Sequence, residues 1–416
     1  MNSFTLIFLI ALVICYATQF WLAKRQSDHV ASHRSAVPEA FKDRVSLESH
    51  QKAADYTIEK GKLGIIDSII GIVVLLLLTV GGGINTAFVF WTAHLSSPLL
   101  AGIAALGTVF LVMTLIDIPT SVYQTFVIEE KYGFNKSTVK QFIKDQLLQL
   151  SLSAAIGFPI LALILWVMDS VGSLWWLWAW GIIMSFSLLM SWLFPTVIAP
   201  LFNKFTPMQE GTLKDRIQGL LVRCGFNSQG IFIMDGSKRS GHGNAYFTGL
   251  GNNKRIVFFD TLVNSLDEEE LEAVLAHELG HFKRKHVIKM LVATSVISLI
   301  SLAILGWLIN QQWFFTGLGV EQASNAAALL LFMLVSPVFT FFMQPISAYF
   351  QRKFEFEADD FAADNAKATK MVSGLVKLYE ENANTLTPDP LYSAFHYSHP
   401  PAAIRIAHLE TKMQPV

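Results

Sequence analysis

The sequence predicts a mainly α-helical, multi-pass membrane protein with seven transmembrane helices and a short β-hairpin outside the bilayer. Three observations carry that prediction. Hydrophobic residues make up 52% of the 416 residues and charged ones only 15%, far from the balance of a soluble domain. Seven apolar stretches, roughly 3–23, 65–90, 98–118, 148–168, 174–198, 287–309 and 324–346, are long enough to cross a bilayer. Lys and Arg are segregated. Residues 24–62, 119–147, 200–286 and 345–416 hold 30 of the 31, and 91–97, 169–173 and 310–323 hold none. By the positive-inside rule the charged segments are cytoplasmic, and seven spans then put the N-terminus outside.

The first stretch is too long for a signal h-region and ends in Lys24-Arg25 rather than at a small-residue cleavage site, so it reads as a retained span. Residues 24–62 follow as a polar, helical segment whose His29, His33 and His50 read as bystanders. The second stretch is overlong, and Gly81-Gly82-Gly83 predicts a bend near its outer end. Pro159, Pro195 and Pro337 lie within spans, where neighbouring helices can satisfy the freed carbonyls. Asp67 and Asp117 lie inside apolar stretches and are expected to face protein or water rather than lipid. Phe126 to Asn135 and Ile198 to Pro207 mix aromatic and polar residues and read as ordered interfacial loops.

From Leu213 the pattern turns soluble. Leu213 to Arg223 is an amphipathic helix ended by Gly225, and Ile231 to Met234 and Arg255 to Phe259 are β-like runs. Residues 243–248 and 255–260 are expected to form a hairpin that turns at Gly249 to Asn253. A strand there can hold an extended peptide by backbone pairing.

Residues 265–286 read directly as chemistry. Ser265 and Glu268 match a capping box, and Leu271, Val274, Leu275 and Leu279 repeat at helical spacing. His277 and His281 are four apart, so both imidazoles leave one helix face and can share a metal, with Glu278 beside them as general base. A catalytic zinc needs a third protein ligand. Glu355 and Asp359 share one face of a helix over 352–364; spacing favours that pair without saying which is the ligand and which orients a histidine. His396-Tyr397-Ser398-His399-Pro400-Pro401, with Arg405 shortly after, is a structural corner or a donor to a developing oxyanion. Cys15 and Cys224 read as two buried thiols. A formal net charge of −1 excludes a general polyanion binder, so no nucleic acid partner is expected.

His277-Glu278-Leu279-Gly280-His281, Glu355-Phe356-Glu357-Ala358-Asp359 and His396 to Pro400, set among seven spans, together resemble the CAAX prenyl protease 1 family. Phe126 to Asn135, Pro200 to Pro207 and Ser237 to Phe247 are similar as well. The resemblance implies seven helices enclosing a water-filled chamber, with a zincin-like metalloprotease domain facing it at the cytoplasmic end. It implies one Zn²⁺ per chain on His277, His281 and Glu355, with Asp359 supporting them. It further implies that His399 steadies the oxyanion, that Arg405 completes the local polar network, and that Asn244, Ala245, Tyr246 and Phe247 pair with substrate.

The expected organisation is 1–199 for spans one to five, 200–286 for the first catalytic segment, 287–346 for spans six and seven and 347–416 for the second catalytic segment. The implied activity is hydrolysis of peptide bonds in a peptide or protein by a zinc-activated water, resembling removal of the C-terminal tripeptide of prenylated CAAX proteins, by a monomer in contact with membrane lipid. The short outer loops, and no dilysine or KDEL-like signal in Thr411 to Val416, fit a bacterial or minimal eukaryotic member, hence a bacterial inner membrane or the endoplasmic reticulum. The rival readings are a quality-control metalloprotease for unprenylated or misfolded membrane proteins, and a non-enzymatic seven-span binding or transport protein with a structural zinc.

Overall fold

A computed structural model describes residues 2–226, 228, 230–248 and 255–413. Seven helices are long and apolar enough to cross a membrane: Ser3–Ser32, Leu47–Leu78, Pro98–Glu129, Val139–Ser170, Gly172–Phe202, His286–Leu308 and Asn325–Asn365. Side-chain caps start several of them. Ser46, Ser97, Thr138 and Ser324 each accept a backbone N–H of the first turn. The helices overshoot the stretches read as apolar, chiefly at their charged ends. A 30-residue helix is about 45 Å long and exceeds a hydrocarbon core of about 30 Å.

The glycine triplet does more than bend the second span. The helix ends at Leu78, Gly82 adopts φ +77°, and a separate helix, Gly83–His94, begins. A Cβ on Gly81 would meet the Leu77 carbonyl oxygen at 2.7 Å. Phe126 to Asn135 is only partly a loop, because Gln124–Glu129 continues the third span as a π-helical turn.

Each span packs on the next and the seventh packs on the first, which closes a ring. The buried core of this ring comes from one end of every span: Phe8 and Leu12, Leu75, Leu106, Leu165, Ala179, Leu305 and Leu330. There the seventh span also crosses to the third, and the Cβ of Ala326 sits where Gly102 leaves room for no side chain. At the other end nothing is buried in 64–74, 110–127, 139–163, 180–194 or 287–301. Side chains there are at most partly covered, so these lengths of helix leave open space on their inner faces. The ring therefore encloses a chamber that widens toward the charged segments, and Asp67 and Asp117 lie in these uncovered stretches.

A second core holds the polar segments together. It joins Ile217, Leu220, Phe258, Leu271, Leu275, Leu375, Ile406 and Leu409, with Phe41 contributed by the first loop. Its sheet has the order β1-β2-β4-β3, with β1 Phe205–Pro207, β2 Gly230–Met234, β3 Ala245–Thr248 and β4 Arg255–Phe259. β3 and β4 form the expected antiparallel hairpin, Ala245 opposite Phe258, although its turn at 249–253 lies outside the described residues. β2 runs parallel to β4, and β1, only three residues long, was not legible as a strand. β3 is an edge strand.

Helix Glu268–Lys283 begins two residues later than its sequence suggests. The capping box is Asp267 with Glu270, not Ser265 with Glu268, because Ser265 closes a preceding short helix and Leu266 is extended. Glu270 also binds Lys377 and Ser373, which ties this helix to helix Ala368–Glu381. At the far end Lys285 takes a left-handed φ of +58°. That conformation costs a non-glycine residue about 1–2 kcal/mol. It breaks the helix, and the sixth span starts immediately at His286.

Candidate metal centre

Two helices build the centre, Glu268–Lys283 and Gln344–Asn365, and the second is the far part of the seventh span, past its short turn Phe341–Met343. They approach closely because Gly280 has no side chain; a Cβ there would lie 2.9 Å from Ala358 Cα. His277 Nε2 is 3.4 Å from Glu355 Oε2, His281 Nε2 is 3.2 Å from Oε1, and the two Nε2 atoms are 3.2 Å apart. One ligand atom from each of the three residues lies within 4.8 Å of the others. Glu355 Oε2 is buried without a hydrogen-bond partner, its nearest nitrogens 3.4 and 3.5 Å away, so a bound cation would complete its surroundings. Two imidazoles and a carboxylate are the donor set zinc takes at catalytic sites, so the residues fit the metal.

Each histidine is held from behind. His277 Nδ1 lies 2.8 Å from Asp359 Oδ1, and the buried Arg405 donates to both Asp359 oxygens at 2.6 and 2.9 Å. Arg405 Nη1 is also 3.5 Å from Glu355 Oε2. Thus Glu355 converges with both histidines, while Asp359 stands one turn behind. His281 Nδ1 lies 3.0 Å from Nδ1 of His286, whose Nε2 is 3.0 Å from Glu357 Oε2. Sequence reasoning missed this second support, though a histidine five residues after His281 was a visible signal.

A cavity of about 480 Å³ opens beside the centre, lined by Asn244, Ala245, His277, Glu278, His399 and Arg405 among others. Burial pushes the Glu278 carboxyl up from its ordinary range, and the two neighbouring histidines oppose that shift. His399 is exposed to the cavity, with Nε2 3.5 Å from Glu355 Oε1 and Nδ1 2.9 Å from Ser398 Oγ. Of the expected pairing strand, Asn244 and Ala245 border the cavity. Tyr246 packs on Phe259, and Phe247 packs on Phe282 of the metal helix.

The lead-in to β3 is clamped by residues the sequence did not mark. Asn382 accepts from Gly243 N at 3.0 Å and donates to Gly243 O at 3.3 Å. His242 stacks on Phe134 and lies 3.3 Å from Glu129, which also accepts from Tyr56 at 2.7 Å. The π-helical turn thus connects the third span to the strand beside the metal. The turn carrying His399 is pinned likewise: Arg25 and Gln26 of the first span bind Asp389, and Arg352 donates to the Tyr397 carbonyl. His29 lies in the last turn of the first span's helix, His33 just past its end and His50 near the start of the second, where His50 Nε2 is 2.9 Å from the His33 carbonyl oxygen.

A histidine pair, a glutamate converging on it, an adjacent glutamate and an edge strand, all at the mouth of a seven-span ring, define an integral-membrane metallopeptidase. Comparison with known proteins agrees along the whole chain. Residues 26–204 match the family described as CAAX prenyl protease N-terminal, five membrane helices, and residues 207–413 match Peptidase family M48. The chain belongs to the CAAX prenyl protease 1 family. It is 34% identical to the CAAX prenyl protease 1 homolog of Oryza sativa subsp. japonica, over 96% of this chain and 95% of that one. It is 32% identical to CAAX prenyl protease 1 of Saccharomyces cerevisiae, over 95% and 92% of the two chains. The crystal structure of S. mikatae Ste24p superposes with a TM-score of 0.91 at 32% identity, covering 98% of this chain and 99% of that one.

Proposed function

We propose that this membrane metalloendopeptidase uses zinc to cut peptide bonds near the C-terminus of prenylated CAAX proteins on the cytoplasmic side of its membrane. The observation that carries the reading is the convergence of Glu355, from the far part of the seventh span, on Nε2 of both His277 and His281. His277, His281 and Glu355 would hold the ion. Zinc bound there supplies Lewis acidity, which makes water nucleophilic near neutral pH and polarises a carbonyl.

The chain's own residues do the rest. Asp359 accepts from His277 Nδ1, which fixes the tautomer and leaves Nε2 free to ligate; His286 plays the same part for His281. Arg405 keeps Asp359 ionised and in place. Glu278 takes a proton from the attacking water and delivers it to the leaving amine as the C–N bond breaks. His399 reaches into the cavity as a donor for the developing oxyanion. The free edge of β3, from Asn244 to Phe247, holds the substrate backbone.

In this proposal 1–199 and 287–346 act as the membrane body, 200–286 and 347–416 as the catalytic body, and a single chain is the working unit. The Lys and Arg distribution supports an N-terminus outside and catalytic segments in the cytoplasm, in the endoplasmic reticulum or a bacterial inner membrane. A chamber opening at the bilayer's edge suits a substrate that is itself anchored in lipid. The test is cleavage of a farnesylated CAAX peptide against its unprenylated twin by the purified protein. Preference for the farnesylated peptide is expected; equal cleavage would move the reading to general quality control, and chelator-insensitive cleavage would remove the metal from it.

A further inference from the structure

A second cavity, of about 380 Å³, adjoins the metal cavity and shares Thr57, Asn384, His396 and Tyr397 with it. Polar side chains share its walls with apolar ones: Gln19, Gln26 and Ser27 from the first span and Lys60 and Ser68 from the second stand beside Phe20, Ala23 and Ile65. Lys60 is the one lining side chain with a permanent charge among the described residues. Its ammonium lies 3.3 Å from the Tyr56 hydroxyl and 4.7 Å from that ring's centroid, and forms no ion pair among the described residues. The acid nearest in influence, Glu129, is already taken up by Tyr56, Gln124 and His242. Lys60, an exposed cation, therefore borders the cleft with no direct ion pair among the described residues, and reaches Glu129 only through the Tyr56 hydroxyl.

The direction of the edge strand says what reaches it. A peptide paired antiparallel to β3, the slightly more stable arrangement, runs from Phe247 toward Asn244 and Gly243. Residues beyond the scissile bond then head past Asn382 and Asn384 toward the second cavity. Three extended residues span about 10 Å and end in a carboxylate, which cannot be buried cheaply without a cationic partner.

We propose that Lys60 is the subsite for the substrate's free C-terminal carboxylate, so that the second cavity receives the short peptide released by the cut. The proposal rests on the peptidase reading above and adds the reason the cut falls near a chain end.

The test compares a farnesylated CAAX peptide bearing a free carboxylate with its C-terminal amide, using the full-length protein. The wild type is expected to favour the acid in kcat/KM by about tenfold or more, the scale of one charge-assisted hydrogen bond. Lys60→Met should collapse the acid-to-amide ratio to near one, and Lys60→Arg should keep most of it. A wild type without the preference, or Lys60→Met retaining it, overturns the carboxylate subsite and leaves Lys60 as a cation at the bilayer edge. Fragment masses separate the two levels of the argument. Release of a tripeptide without acid preference sinks only the Lys60 subsite, whereas cuts scattered along the peptide sink the CAAX reading beneath it.

Discussion

Asp359 and His277 are joined at 2.8 Å although 82 residues separate them, two membrane spans among these, and the buried Arg405 closes the group from the third side. A candidate metal ligand is thus oriented by a carboxylate that is itself oriented by a guanidinium. Asp359→Ala should lower metal affinity about 10–100-fold, the usual effect of losing such a support. It should also destabilise the catalytic body by about 3–5 kcal/mol, because the buried Arg405 loses both its hydrogen bonds to Asp359 and keeps only the longer contact to Glu355. Metal titration and chemical denaturation read the two effects separately. Unaltered metal affinity in this variant would reduce Asp359 to a packing residue.

Glu278 lines the same cavity as His277 but makes none of the contacts that join the ligand triad. Glu278→Gln should therefore keep its full metal content while kcat falls about 10²–10⁴-fold, the range a positioned general base contributes. Chelation should abolish wild-type cleavage and added zinc should restore it. The glutamine variant should gain nothing from that zinc. Substantial activity in the variant would transfer the proton to another group.

The parts of this site that were legible in the sequence are those set by local spacing. His277 and His281 are placed by one helical turn, and Glu355 and Asp359 by another, so each pair was visible as a pair. Which carboxylate ligates depends on how two helices far apart in sequence pack through Gly280, and no local period records that. The cap was misread for a similar reason. Both Ser265–Glu268 and Asp267–Glu270 satisfy the same pattern, and a short upstream helix decides between them. The chamber was implied only by resemblance; hydropathy gives the spans but not which of their faces remain uncovered. Glu129, His242 and Asn382 were invisible as a group because their bonds cross 113 and 140 residues.

That distant group carries its own prediction. Asn382 holds Gly243 by both its N–H and its carbonyl, just where β3 leaves for the metal. Asn382→Ala removes both bonds, and the contact with His242 Nδ1, while leaving His277, His281 and Glu355 untouched. The expected result is a rise in KM and a fall of about tenfold in kcat/KM, with metal content unchanged. A variant that loses kcat at constant KM would show that the clamp acts on the chemistry rather than on substrate pairing.

Gly280 offers the most direct check on how the two halves of the site meet. It lies between the two histidines, and a Cβ there would sit 2.9 Å from Ala358 Cα, 3.1 Å from the Ala358 carbonyl oxygen and 3.1 Å from Phe361 Cβ. Two of these are backbone atoms, so no side-chain rotation relieves the clash. Alanine has the higher helix propensity, and on an isolated helix Gly280→Ala would stabilise by about 1 kcal/mol. Here overpacking should win, at a cost of about 1–3 kcal/mol, because helix Gln344–Asn365 must shift away. That helix carries Glu355 and Asp359, so the same shift takes the third ligand from His277 and His281. Gly280→Ala is therefore expected to lose metal affinity and activity together while its seven spans still form, as read by metal titration, peptide cleavage and circular dichroism. Retention of wild-type metal affinity would mean that the two helices can part without separating the ligands, and that Gly280 does not set the geometry of the centre.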